Sequence, residues 1–133
     1  MTDPSAFRAP FADYLGIKLT SLSPERVEAE LVVRKELATV PDILHGGAIM
    51  ALADNLGGVA TVLNLPKGAR TATIESKTNF FSAIAVGETA HAECTALHRG
   101  RTTMVWQTKI TRGDGKLCAL VTQTQIVIAA EKS

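Results

Sequence analysis

Residues 43–63 read ILHGGAIMALADNLGGVATVL. Ala, Leu, Ile and Met dominate the stretch, and it is too long for an ordinary strand, so it predicts one long helix from Gly46 or Gly47 to Leu63. Between Ala48 and Leu63 the only charged side chain is Asp54. A helix that is apolar nearly all round is wrapped by other structure on most sides. The reading therefore expects a sheet that curls around this helix and a buried Asp54. A buried carboxylate is costly unless hydrogen bonds satisfy it or chemistry uses it. Gly57 and Gly58 each cost roughly 1 kcal/mol relative to Ala inside a helix, and tight packing against a strand or a second copy is the expected reason.

The flanks of the helix read as strands. In residues 27–33, VEAELVV, Val27, Ala29, Leu31 and Val33 share one face while Glu28 and Glu30 share the other, which is the period of a half-buried strand. The preceding GIKLTSL is its expected hairpin partner, joined by the Pro-containing turn SPER. Pro66 and Gly68 end the helix. Beyond Arg70 three long β segments are expected, at about 70–81, about 88–98 and about 102–128. The last is divided at RGDGK, where Asp114-Gly115 is a strong hairpin signal. The layout is α+β, a helix on an antiparallel sheet, in one domain spanning residues 1–133.

Composition narrows the function classes. A net charge of +1 gives no general attraction to nucleic acid or to an anionic membrane, so function is expected from a site. Cys94 and Cys118 form neither a C-x-x-C motif nor a disulfide framework, and three scattered histidines suggest no metal cluster. No apolar run approaches the ~18 residues of a membrane span, and the amino-terminal residues lack a signal-peptide core, so the expected location is the cytoplasm.

His45-Gly46-Gly47 entering a long apolar helix, with Asp54 nine residues after the histidine, resembles the hotdog-fold acyl-CoA thioesterases. The likeness is to the branch of the phenylacetate-pathway and 4-hydroxybenzoyl-CoA enzymes, and it extends from about Phe11 to Ile128. It implies a long helix wrapped by a curved antiparallel sheet and a homodimer as the minimal active unit, often paired again into a homotetramer. It also implies hydrolysis of an acyl-CoA thioester with no metal or redox cofactor, coenzyme A being part of the substrate.

The residues carry that chemistry in their own right. At a helix starting near Gly46 and Gly47, backbone N–H groups lack intrahelical acceptors and stand at the positive end of the helix dipole. Such donors polarise a thioester carbonyl, and glycine lets it come close. The resemblance gives the key N–H to Gly46. Asp54, about two turns along, is expected to reach the substrate as general base or as nucleophile. His45 is expected to fix the turn into the helix rather than to transfer a proton. Asn55 points about 100° away from Asp54, toward helix packing or a subunit contact. Thr73 matches by position a strand hydroxyl that in some relatives places the attacking water across the dimer. Two positions depart from the family: Thr39 stands where relatives often have Gln or Asn, and Gly58 where many carry a hydroxyl residue.

Coenzyme A phosphates call for cations. Arg99 and Arg101, in LHRGR, and Lys67 with Arg70 are the expected contacts. Phe80, Phe81 and Trp106 are expected in the core or at a subunit contact. Two other functions compete with hydrolysis. One is a hotdog-fold dehydratase or hydratase, whose histidine is differently spaced; the other is a non-catalytic acyl-CoA-binding module, which has no need of Asp54.

Overall fold

The alternating apolar residues of 27–33 and the apolar run after His45 fold as their periods predict. The computed structural model describes residues 4–131. In chain order the elements are α1 (Pro10–Leu15), β1 (Lys18–Leu22), β2 (Arg26–Val32), β3 (Ala38–Thr39), β4 (Ile43–Leu44), α2 (Gly46–Val62), β5 (Arg70–Phe80), β6 (Thr89–Arg99), β7 (Thr103–Thr111) and β8 (Leu117–Ile128). Single 3₁₀ turns occupy Pro4–Phe7 and Lys35–Leu37. Six strands form one antiparallel sheet in the order β1-β2-β6-β7-β8-β5, while β3 and β4 make a separate small pair. The helix α2 packs on β2, β5, β6, β7 and β8. This is the hotdog fold, α+β, with the helix against the inner face of the sheet. Among the described residues no helix is long and apolar enough to cross a membrane.

Inward positions of the sheet meet Leu52, Leu56 and Ala60 of α2 to form the core. Trp106 of β7 is 0% exposed, and its indole N–H donates to Thr61 Oγ1 at 2.9 Å. Thr61 in turn donates to the Gly57 carbonyl at 2.7 Å. The two interior glycines have different reasons. A Cβ on Gly57 would lie 2.2 Å from the Gln123 side chain of β8, so glycine there admits a strand residue to the helix backbone. A Cβ on Gly58 would meet nothing within 4 Å.

Burial of α2 differs from the expectation. His45, Gly47, Met50, Asp54 and Val62 are exposed, so within one chain the sheet covers one side of the helix and leaves an open stripe. Asp54 is therefore not a buried carboxylate of the chain. Hydropathy could not separate the two sides, because Gly, Ala and Met build the open one as readily as the covered one. The free edge of β5 is also open: Ile74, Phe80 and the following Phe81 are all more than half exposed. Ile74 is the extra residue of a β-bulge, with the register to β8 shifting between Thr73 and Glu75.

The short helix α1 was not anticipated. It rests beside α2, ends at Gly16 in the left-handed region (φ 85), and has its last carbonyls, Tyr14 and Leu15, capped by the Arg34 guanidinium.

Candidate active site

The start of α2 is built by His45. Its backbone is extended (φ −60, ψ 136), and its Nδ1 accepts from the Gly47 N–H at 2.7 Å. A Cβ on Gly47 would come within 2.9 Å of that nitrogen, so glycine is what lets the ring fold back as an N-cap. Because Nδ1 accepts, a neutral ring carries its proton on Nε2. The cap uses the Gly47 donor and leaves the Gly46 N–H without an internal acceptor among the described residues. That N–H stands at the positive end of a 17-residue helix.

Gly46 borders a hollow of about 410 Å³ lined by Thr39, Ile43, Ile49, Phe80, Phe81 and Ile84. The Phe80 ring lies over Gly46, 3.2 Å from where a Cβ would be, and is 52% exposed. Thus Phe80 and Phe81 border this hollow rather than the core, whereas Trp106 is in the core. Thr39 faces the same space and is too short to span it as a glutamine would.

Asp54 sits farther along the same helix. It stands eight residues after Gly46, or about 12 Å along the axis and about 80° around it. A carboxylate side chain cannot bridge that distance to a carbonyl held at Gly46, so one chain does not bring the two together. Asp54 Oδ1 instead accepts from Thr73 Oγ1 at 2.6 Å and from Gln123 Nε2 at 3.3 Å. Thr73 therefore meets the acid of its own chain, because the bulge at Ile74 and the pairing of Thr73 with Gln125 turn its side chain toward α2.

Behind Thr73, Gln125 Nε2 donates to Thr73 Oγ1 at 2.6 Å, while the one hydroxyl proton of Thr71 is shared between the Ile126 carbonyl at 2.8 Å and Gln125 Oε1 at 3.0 Å. Gln123 and Gln125 are each 1% exposed. Neither was singled out from the sequence. The signal was present, since both fall in phase with Ala119 and Val121 on the inward face of β8, where an amide needs a reason. A hollow of about 300 Å³ beside Asp54 is bordered by Asn55, Gly58, Thr73 and Gln125. Gly58 therefore faces open space.

Comparison with known proteins gives the family. A profile of the thioesterase superfamily matches residues 42–119, from the turn before His45 into β8. The chain belongs to this superfamily. It is 31% identical to the proofreading thioesterase EntH of Cronobacter turicensis over 106 residues, covering 80% of this chain and 77% of that protein. The structure of a point mutant of thioesterase PA1618 from Pseudomonas aeruginosa superposes with a TM-score of 0.90 at 26% identity, covering 96% and 95% of the two chains. A point mutant of the phenylacetic acid degradation protein PaaI from Thermus thermophilus superposes with a TM-score of 0.82 at 25% identity, covering 89% and 98%. The chain is accordingly a thioester hydrolase of the hotdog fold.

The cations of this thioesterase gather at the other end of α2. Arg99 donates to Asn64 Oδ1 at 3.3 Å and to the Pro24 carbonyl at 3.4 Å, just past the helix C-terminus. Arg70 begins β5 opposite Ile128, and Lys67 lies in the turn between α2 and β5. The whole length of the helix separates them from Gly46 of the same chain. Arg101 is exposed in the turn between β6 and β7. Neither cysteine is an available nucleophile: both are buried, and burial pushes the Cys94 thiol up to about 11. Among the described residues no three His, Cys, Asp or Glu side chains gather as metal ligands.

Proposed function

We propose that this thioesterase hydrolyses acyl-CoA esters to the free acid and coenzyme A, in a site made by two copies of the chain. The observation that carries this reading is the uncommitted Gly46 N–H, which opens on an apolar hollow about 12 Å along the helix from the carboxylate of Asp54. Two antiparallel α2 helices meeting along their open stripes would set Gly46 of each chain opposite Asp54 of the other, with the two-fold axis near the exposed Met50. Exposed Ile74, Phe80 and Phe81 on the free edge of β5 favour the same contact.

In this arrangement the Gly46 N–H polarises the thioester carbonyl and stabilises its developing negative charge. Asp54 of the other chain activates water or attacks the carbonyl carbon, and His45 holds the cap. Thr73 holds Asp54 rather than the water. The acyl group takes the hollow at Phe80 and Phe81. The deciding experiment is release of free coenzyme A from a panel of acyl-CoAs, followed with a thiol reagent. Absence of release across aliphatic and aromatic esters, or hydration of enoyl-CoA in its place, would end this reading.

The antiparallel contact also gives the basic end a role. With the axis near Met50, the C-terminus of one α2 extends about 12 Å past Gly46 of the other. The pantetheine arm places the nucleotide phosphates at a distance from the thioester, on the side of Arg99, Arg101, Lys67 and Arg70. Changing Arg99 and Arg101 together to Ala should raise KM about tenfold with little change in kcat. The effect should shrink as salt rises. An acyl thioester lacking the nucleotide should be indifferent to the change; equal loss on that substrate would show that these arginines do not touch phosphate.

A further inference from the structure

We propose that Gln125 and Gln123 of β8 are positioning residues that hold Asp54 by two separate routes, and that Gln125 acts only through Thr73. The inference rests on the reading of Asp54 as the group that acts on the thioester. Its basis is the direction of the hydrogen bonds. A carboxylate only accepts, so the single hydroxyl proton of Thr73 points at Asp54 Oδ1. Thr73 Oγ1 must then accept from behind, and the one donor placed there is the Gln125 amide at 2.6 Å. That contact fixes which way the Gln125 amide faces and turns its oxygen to the Thr71 hydroxyl at 3.0 Å. The chain of donors runs one way, Gln125 to Thr73 to Asp54, and the one proton of the Thr71 hydroxyl behind it is shared between Gln125 Oε1 and the nearer Ile126 carbonyl at 2.8 Å.

Gln123 is the second route. Its Nε2 lies 3.3 Å from the same Oδ1, while its Oε1 is buried without a hydrogen-bond partner among the described residues. A buried, half-satisfied amide is costly and calls for an explanation. Gly57 points to the same one. It lies one helical turn beyond Asp54, and any side chain there would occupy the space of the Gln123 amide. The helix gives up a residue favourable to it so that a strand amide can reach the acid. Both routes end on Oδ1. Among the described residues no donor takes Oδ2, which is left for the reaction.

The test is a double-mutant cycle on kcat. Thr73→Val should lower kcat about tenfold, the effect of one lost hydrogen bond to a charged group, with KM within about twofold. Thr73→Ser, which keeps the hydroxyl, should retain nearly full turnover. Gln125→Met, close to the same size, should lower kcat several-fold, and the double variant Thr73→Val/Gln125→Met should be no slower than Thr73→Val alone. Gln123→Met belongs to the other route, so its loss should multiply with that of Thr73→Val. Thermal melting and size exclusion confirm folding. If the buried methionines prevent it, the cycle runs on Thr73→Val with Gln125→Asn, whose shorter amide stays polar but draws back from Thr73, and the pair should again be no slower than Thr73→Val alone. Multiplying losses along the Gln125 route, or a Gln125 variant with normal kcat, would overturn the assignment. Asp54→Asn is the control: if it abolishes turnover while Gln125→Met leaves kcat normal, only the positioning role falls. If it leaves turnover intact, the role of the acid falls first.

Discussion

Asp54→Asn should lower kcat for the best acyl-CoA by a factor on the order of 10² or more, with KM little changed. Asparagine keeps the size of the side chain and an oxygen that still accepts from Thr73 and Gln123, so the hydrogen bonds that hold residue 54 survive. What it removes is the negative charge and the lone pairs that take a proton or attack carbon. Because Asp54 is exposed on α2, the substitution opens no cavity in the core, and the melting temperature should stay within a few degrees. A purely structural carboxylate would behave in the opposite way, losing melting temperature or assembly and activity only in step with the folded fraction. Steady-state kinetics run beside melting and size exclusion separate the two. A folded, assembled Asn variant with normal turnover would remove Asp54 from the chemistry.

The fold was legible wherever one short pattern had one physical meaning. The apolar run after His45 could only be a helix of that length, and Val27, Ala29, Leu31 and Val33 alternate as they do because β2 has one covered face. Asp114-Gly115 makes the β7–β8 turn it announces: Gly115 has φ 83, and the Asp114 carboxylate accepts from the Lys116 N–H. The six residues of α1 were not legible, since PFADYL is too short to show a helical period. The exposure of Asp54 is not legible for a different reason. The open stripe of α2 is made of small and apolar residues, so hydropathy does not distinguish it from the core side.

The site was half legible for the same reason. His45, Gly46 and Asp54 are local to one segment and announce themselves by spacing. Thr73, Gln123 and Gln125 reach Asp54 only through strand register, and that register depends on one bulged residue, Ile74. A shift of one position would turn Thr73 outward and put a different side chain on the acid.

The shared site makes its sharpest claim at Gly46. Proline is the one substitution that deletes the N–H itself, and the backbone here is ready for it: His45 already has the extended conformation that the residue before a proline requires, and the first helical position tolerates proline well. Gly46→Pro should therefore fold and assemble, yet lose about 10² to 10³ in kcat, the effect of removing an oxyanion donor. Gly46→Ala keeps the N–H and asks only that the exposed Phe80 ring move a few tenths of an ångström, so its loss should be no more than several-fold. Mixing then tests the two-chain arrangement. In a dimer of one Gly46→Pro chain and one Asp54→Asn chain, one site has lost both groups, whereas the other takes Gly46 from the second chain and Asp54 from the first. Random pairing of equal amounts makes half the dimers mixed, so coexpression should restore about one quarter of the wild-type activity from two nearly inactive parents. If Gly46 and Asp54 worked within a single chain, every site in the mixture would be missing one of them. Mixed dimers verified by size exclusion with differently tagged chains, yet no more active than either parent, would rule out a site shared in this way.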